Sequence, residues 1–82
     1  MNYKQMITES SSKFVGLKQV LKGIEANNIR CVVIALDSDS FIEECVKEAI
    51  GTMCVEVLYC PTKKELGNWV GIDVSAAVVG IA

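Results

Sequence analysis

The chain has 82 residues, a length typical of one domain spanning residues 1–82. Apolar residues make up 51% of it, which excludes a disordered chain, and eight Lys and Arg against ten Asp and Glu give a formal net charge of -2. That balance excludes a strongly basic protein that holds nucleic acid over its whole surface, but it allows a local basic patch. The polar start, MNYKQMITES, and the lack of an apolar run of ~20 residues predict a cytoplasmic protein without a membrane segment.

The first strong periodicity lies in VGLKQVLKGIEANN, residues 15–28. Its apolar residues recur at i, i+3, i+4 and i+7, which predicts an amphipathic helix over residues 16–26. These residues are Leu17, Val20, Leu21 and Ile24, and the opposite side carries Lys18, Gln19 and Lys22. Asn27-Asn28 is a stop signal for this helix. Upstream, residues 2–10 have weak helical character, and the apolar pair Phe14-Val15 leads into the helix.

CVVIAL, residues 31–36, is a continuous β-branched run that predicts a strand covered on both faces. It is followed by DSDS, in which Ser38 or Asp39 could cap a helix over residues 40–50 that Gly51 ends. Spacings of four place one apolar face on this helix, with Ile42 and Val46 beside it: Phe41, Cys45 and Ala49. The outward side carries Glu43, Glu44, Lys47 and Glu48.

The last third of the chain predicts strand, helix, loop and strand. CVEVLY, residues 54–59, indicates a strand that ends before Pro61. Thr62 and Glu65 have the spacing of a capping box for a helix over residues 62–71, and residues 71–75 form a loop. AAVVGIA, residues 76–82, indicates a third buried strand. Helices alternating with short apolar strands predict an α/β layered domain with helices on both faces of a small sheet.

The residues for most kinds of catalysis are missing. The chain has no histidine, which removes histidine bases and the usual zinc enzymes, and no glycine run forms a phosphate loop. Asp37 and Asp39 could form a metal-binding or catalytic pair, but a turn with a capping residue is the favoured interpretation. The four cysteines, at 31, 45, 54 and 60, could form a zinc site, but small buried side chains are favoured over it, and Cys60 lacks a basic partner that would make it reactive. We therefore expect a protein that is not an enzyme and that needs no metal or cofactor.

Two stretches remain as candidates for binding an anionic ligand. The start of the first helix offers unpaired backbone N–H groups beside Lys18, Gln19 and Lys22, an arrangement that suits phosphate and base edges. An ordinary solvated helix face is the alternative interpretation. Lys63 and Lys64 precede the loop of residues 71–75, whose apolar side chains could cover an unstacked base, as RNA-binding proteins commonly do.

Three segments together resemble the kink-turn RNA-binding ribosomal proteins of the L7Ae and L30e type: VGLKQVLKGI, VVIALDSD and PTKKELGNWVGIDVSAAVVGIA. The resemblance covers the chain from about Lys13 to Ala82. It implies a three-layer α/β/α sandwich around a small mixed four-stranded sheet. It also implies binding to a kink-turn, a sharply bent RNA with tandem sheared G·A pairs and a flipped-out nucleotide.

The resemblance implies a role for each matching residue. Gly16 and Leu17 would lie against the RNA backbone, Lys18 and Gln19 would meet guanine edges, and Lys22 would add a contact one turn later. Asp39 and Lys63 would hold the flipped-out nucleotide, and a loop would close over the kink: Ile72, Asp73, Val74 and Ser75. Many family members have Asn-Glu in place of Lys18-Gln19 and smaller residues in place of Leu17 and Trp69. We expect Trp69 to pack in the core or against the loop.

The leading hypothesis is a non-catalytic RNA-binding protein that recognises and stabilises kink-turns in structured RNA, ribosomal or regulatory, with the ribosome as a candidate partner and without DNA or membrane partners. The alternative is a protein-interaction module that keeps the fold and uses its acidic helix: Glu43, Glu44 and Glu48.

Overall fold

In a computed structural model, the structure describes residues 13–51, 53–71 and 74–82, so the weak helical pattern of residues 2–10 lies outside it. Four strands and three helices follow one another in these residues. Their order is β1 (Lys13–Val15), α1 (Leu17–Glu25), β2 (Cys31–Ala35), α2 (Ser40–Ile50), β3 (Glu56–Cys60), α3 (Lys63–Trp69) and β4 (Val78–Ile81). None of these helices is long and apolar enough to cross a membrane.

The strands form one mixed sheet in the order β1-β4-β2-β3. β4 pairs antiparallel with both β1 and β2, whereas β2 and β3 run parallel. The fourth strand, β1, is built from the apolar pair Phe14-Val15 that the sequence pattern left as a lead-in to α1. The four-stranded mixed sheet that the family resemblance implies is therefore confirmed.

The two faces of the sheet bury separate sets of side chains. Val32 and Ile34 of β2 pack under α1 and α2, in a cluster that includes Val20 and Val46. The alternate residues of β2 face the other way, in a cluster with Leu66 of α3: Cys31, Val33 and Ala35. All five residues of β2 are buried, as the apolar run predicts for a strand covered on both faces. The three-layer α/β/α arrangement is thus confirmed.

Local signals set the bounds of α1. Gly16 precedes it with φ 93° and ψ 155°, a conformation that favours glycine. Val20 and Ile24 of its apolar stripe are fully buried, whereas Lys18, Gln19 and Lys22 are exposed. At the other end, Asn27 adopts a positive φ of 59°, and its N–H donates to the Ile24 carbonyl oxygen at 3.0 Å. The predicted stop signal is confirmed.

The packing of α1 against the sheet depends on glycine. A Cβ atom at Gly23 of α1 or at Gly80 of β4 would lie 2.5 Å from Cδ1 of Ile29. Ile29 itself is 3% exposed, so its side chain fills the space that these two glycines leave. This close packing sets how near the last turn of α1 lies to Ile29 and β4.

The predicted apolar face of α2 is confirmed only in part: Ile42, Val46 and Ala49 pack toward the sheet, but Phe41 does not. The fully buried residue of α2 is Val46, and Phe41 is 52% exposed. Because α2 rests on the sheet through residues spaced by four from Ile42, the face that includes Phe41 and Cys45 turns outward, toward α1 and solvent.

Several predicted bounds also shift. β2 ends at Ala35, one residue early, and Leu36 is exposed. β3 begins at Glu56 and includes Cys60, while β4 is limited to Val78–Ile81. Strand bounds depend on pairing with neighbours, which a single apolar run does not specify.

The topology brings four connections to one end of the sheet. β1, β2 and β3 all end where β4 begins, since Val15 and Ile34 lie opposite Val79 and Val78, and Ala35 lies opposite Cys60. We call this the loop end, and it comprises residues 16–19, 36–40, 61–64 and 74–77. α1, α2 and α3 all start there.

Candidate nucleic-acid interface

The start of α1 is an open helix terminus. Its N-cap residue is Gly16, which has no side chain to accept the first N–H groups, and no acidic residue lies in the first turn of α1. The Gly16 N–H donates to the Val78 carbonyl oxygen at 3.0 Å, which ties this terminus to β4. A Cβ atom at Gly16 would meet nothing within 4 Å, so crowding does not exclude a side chain there. The positive φ of Gly16 is what favours glycine at this position. Lys18 and Gln19 project beside the first-turn N–H groups, and together they make a donor-rich, electropositive surface.

The connection after β2 presents a leucine to solvent. The Leu36 N–H donates to the Cys60 carbonyl oxygen at 2.8 Å, yet the residue is 65% exposed. Ser38 Oγ donates back to the Ala35 carbonyl oxygen at 2.6 Å and so closes the turn. Asp39 holds the N-cap position of α2, but its side chain makes no capping hydrogen bond. The predicted side-chain cap from Ser38 or Asp39 is therefore wrong.

The start of α3 is linked to the connection after β2. Thr62 caps the helix as predicted, because its Oγ1 accepts the Glu65 N–H at 3.1 Å. Oδ1 of Asp37 accepts the Lys63 N–H at 2.8 Å. This bond gives Asp37 a structural role that agrees with the favoured turn interpretation. Lys63 is half-buried and Lys64 is exposed.

The loop before β4 rests on α3. The Ala76 N–H donates to the Lys63 carbonyl oxygen at 3.0 Å. A Cβ atom at Gly67 would overlap the Val74 carbonyl oxygen, so only glycine allows this contact. Val74 is 70% exposed and Ser75 is also exposed. Ile72 and Asp73, which the resemblance assigns to the same loop, lie outside the described residues.

The loop end thus brings together most of the candidate residues from the sequence: Gly16, Leu17, Lys18, Gln19, Asp39, Lys63, Val74 and Ser75. Lys22 lies one turn farther along α1. The sequence pattern missed Leu36 and Asp37 as parts of this surface. Leu36 was included in the predicted strand, although its position directly before DSDS was a signal that it could lie beyond the last paired residue.

A shallow pocket of about 160 Å³ opens beside Leu36 and Asp39. Glu43 and Tyr59 form its far wall, and the Tyr59 hydroxyl donates to a Glu43 carboxylate oxygen. That hydrogen bond lowers the pKa of the Glu43 carboxyl, with smaller help from Lys47. It also raises the pKa of Tyr59, an effect that the charge of Lys47 opposes. The pocket therefore places the apolar side chain of Leu36 beside the carboxylate of Asp39, which can accept hydrogen bonds. This combination suits a single unstacked RNA base.

The cysteines are dispersed. Cys31 and Cys60 are buried as predicted, whereas Cys45 is half-buried and Cys54 is exposed. Burial raises the pKa of Cys31 to about 11, and burial also raises that of Cys60, so both are weak nucleophiles at neutral pH. Within residues 13–51, 53–71 and 74–82, no group of three or more His, Cys, Asp or Glu residues could hold a metal ion.

Trp69 packs against the buried cluster under α3, as expected for a core or loop-packing role. Its indole therefore helps to hold α3, which carries Lys63 and Lys64, on the sheet.

An α/β/α sandwich around a mixed four-stranded sheet is a known protein class, and comparison with other proteins identifies the family. Residues 3–82 match the ribosomal protein L7Ae/L30e/S12e/Gadd45 family, and the chain belongs to this family.

Bacterial relatives agree with this assignment. A protein of Halalkalibacterium halodurans named as an RNA-binding protein is 31% identical over 81 residues, 99% of this chain and 98% of its own. One of Caldanaerobacter subterraneus with the same kind of name is 38% identical over 65 residues, 79% of each chain. A solved structure of a Bacillus halodurans protein of unknown function has a TM-score of 0.85 at 16% identity, covering 98% of this chain and 83% of that chain, and this likeness concerns the fold alone.

Proposed function

We propose that this protein is a non-catalytic RNA-binding protein that recognises and stabilises kink-turns through its loop end. One observation carries the proposal: a chain of net charge -2 gathers an uncapped helix start, lysines from two elements and two exposed apolar side chains at one end of its sheet. The names of its bacterial relatives support RNA as the ligand.

The start of α1 supplies the contacts to paired RNA. Its free N–H groups and the open space at Gly16 allow close approach of a phosphate backbone. Lys18 donates hydrogen bonds to guanine O6 and N7, and Gln19 both donates and accepts at base edges. Lys22 adds a cation one turn along. The major groove of regular A-form RNA is too narrow for such an approach, so the contact requires a bent RNA.

The pocket beside α2 supplies the contact to the flipped-out nucleotide. Leu36 lines this pocket directly after β2 and Val74 is exposed in the loop before β4, so both offer apolar surface to the base, while Asp39 accepts hydrogen bonds from it. Lys63 supplies a cation for the adjoining phosphate. Because these groups fit only the kinked form, binding shifts the RNA population toward the bend.

The target class is structured RNA, from the ribosome or from regulatory regions, and the protein acts by holding its shape. A direct test is the affinity for a kink-turn RNA and for a control duplex whose G·A pairs are replaced by Watson–Crick pairs. We expect tight binding to the first only. Equal affinity for the kink-turn RNA and the control duplex would reject kink-turn recognition. It would be consistent with general RNA binding only.

The side-chain roles are tested by substitution. We expect Lys18→Ala or Gln19→Ala to cost roughly 1–3 kcal/mol of kink-turn affinity, because each removes hydrogen bonds to a base edge. Both residues are exposed, so the thermal midpoint should stay near that of the wild type.

Arg30→Ala is the matched control, since it removes one positive charge from an exposed position just before β2, at the end of the sheet opposite the loop end. It should leave affinity unchanged. If Lys18→Ala and Arg30→Ala weakened binding equally, Lys18 would contribute only through general charge and not through contact with RNA at the start of α1.

A further inference from the structure

A second surface lies between α1 and α2, away from the loop end. Its lining comes from the later turns of both helices: Leu21, Glu25, Cys45, Glu48 and Ala49. The three apolar residues among these are half-buried, so they form a floor that the fold leaves open. We call this surface the α1–α2 groove.

Phe41 extends the apolar floor. It lies one helical turn before Cys45 on the same face of α2, and it is 52% exposed. This is the face that the sequence pattern predicts as buried. A phenylalanine and a cysteine in line with Leu21 of the neighbouring helix make a continuous apolar strip that the described part of the chain does not cover.

Carboxylates border this strip. Glu25 and Glu48 belong to the lining of the groove, and Lys22 lies beyond Glu25 on the solvent side of α1. Glu44 is exposed one turn before Glu48. Glu43 is different, because it turns to the other side of α2, where it pairs with Lys47 and Tyr59. The acidic residues of α2 therefore divide into two groups, and only one faces the groove.

We propose that the α1–α2 groove docks a basic amphipathic helix of a protein partner. An apolar strip edged with carboxylates complements a helix that presents apolar residues at i, i+3, i+4 and i+7, flanked by Lys or Arg. RNA is a poor occupant, because the carboxylates repel phosphate. A second copy of the chain would set Glu25 and Glu48 against their own counterparts, so like charges oppose that pairing.

The groove and the loop end can act together. α1 and α2 both start at the loop end and run away from it, and Cys45, Glu48 and Ala49 lie in the later turns of α2. A partner helix over these later turns lies off the start of α1, and only its contact with Phe41 adjoins the loop end. This inference goes beyond the proposed RNA binding and does not depend on it.

The test uses a fluorescein-labelled 18-residue peptide of Leu and Lys with the apolar spacing of an amphipathic helix, and a scrambled peptide of the same composition. We expect the helical peptide to bind saturably to the protein in fluorescence anisotropy. In NMR, the chemical-shift changes should be confined to residues of the groove: Leu21, Cys45 and Ala49. Equal binding of both peptides, or shifts spread over the surface, would overturn the proposal.

Two matched variants separate the groove from general charge. Glu48→Lys should weaken binding of the helical peptide about tenfold, whereas Glu56→Lys, the same charge change at an exposed position on β3, should change it less than about twofold. Phe41→Ser should weaken binding without unfolding the protein, as circular dichroism can verify.

Equal effects of the two Glu→Lys variants would overturn the proposal. So would self-association of the wild type in sedimentation that Phe41→Ser abolishes, because a second copy would then be the occupant.

Discussion

Glu43 is held by two neighbours on the surface of α2. Its carboxylate accepts a hydrogen bond from the Tyr59 hydroxyl and lies 3.5 Å from Nζ of Lys47. The hydrogen bond from Tyr59 is the main cause of its lowered pKa. We expect Tyr59→Phe to raise the pKa of Glu43 toward the ordinary value of a glutamate, and carboxyl NMR titration can measure this. Lys47→Ala should raise it less. An unchanged pKa in Tyr59→Phe would contradict the assigned cause.

The direction of the pH dependence follows from the same bond. Because the pKa of Glu43 is lower in the folded protein, its contribution to stability is present above the pKa of the unfolded chain. This contribution is lost as the pH falls through the pKa that Glu43 has in the folded protein. Both side chains are on the surface, so this contribution is small, and it acts by holding one wall of the pocket beside Asp39.

Single residues also show the limits of the sequence patterns. Lys18 and Gln19 were assigned to the exposed side of α1 correctly, since helical periodicity alone decides it. The spacing of four groups Phe41 with Cys45 and Ala49 on one apolar face, yet Phe41 is 52% exposed. A spacing of four fits both Phe41-Cys45-Ala49 and Ile42-Val46-Ile50, and only the packing of α2 on the sheet chooses between them.

At the scale of elements, one carboxylate links two connections of the loop end. Asp37 accepts the first-turn N–H of α3 at Lys63. We expect Asp37→Ala to lower the free energy of unfolding by about 1 kcal/mol, because that N–H loses its acceptor. Urea unfolding can measure the change. Asp37→Asn keeps an acceptor oxygen and should lower the free energy of unfolding less than Asp37→Ala does. A larger loss of stability in Asp37→Asn would contradict this role of Asp37.

Gly67 holds the loop before β4 against α3. We expect Gly67→Ala to destabilise the protein by roughly 1–3 kcal/mol, because the new Cβ overlaps the Val74 carbonyl oxygen and this outweighs the better helix propensity of alanine. Kink-turn affinity should also fall, since the loop must move. Asn68→Ala, at the exposed neighbouring position of the same helix, is the control for propensity. A Gly67→Ala protein as stable as Asn68→Ala would contradict the contact.

The elements themselves were largely predictable. The helices and the two inner strands, β2 and β4, follow from periodicity, caps and β-branched runs, and Thr62 and Asn27 act as predicted. β1 was not, because three residues carry little pattern and the strand exists only through its pairing with β4. The convergence of the loop end depends on strand order and direction, for which the residue pattern alone carried no signal.

At the scale of the whole molecule, charge is distributed unevenly. The net charge is -2, yet Lys18, Lys63 and Lys64 share the loop end while Glu25 and Glu48 lie along the α1–α2 groove. We expect kink-turn affinity to fall only moderately with salt. With ~3–4 phosphate contacts, the slope of log Kd against log salt should be roughly 2 to 4. A slope several times larger would indicate a more extensive electrostatic surface than the loop end provides.

The measurement that tests the central claim most directly follows the RNA bend. A kink-turn RNA labelled with a donor and an acceptor fluorophore on its two arms is titrated with the wild-type protein at physiological salt, beside the Watson–Crick control. We predict a saturable rise in energy transfer for the kink-turn alone, and a rise at higher concentrations in Lys18→Ala. Unchanged transfer in both RNAs, or binding without bending, would contradict kink-turn stabilisation by the loop end.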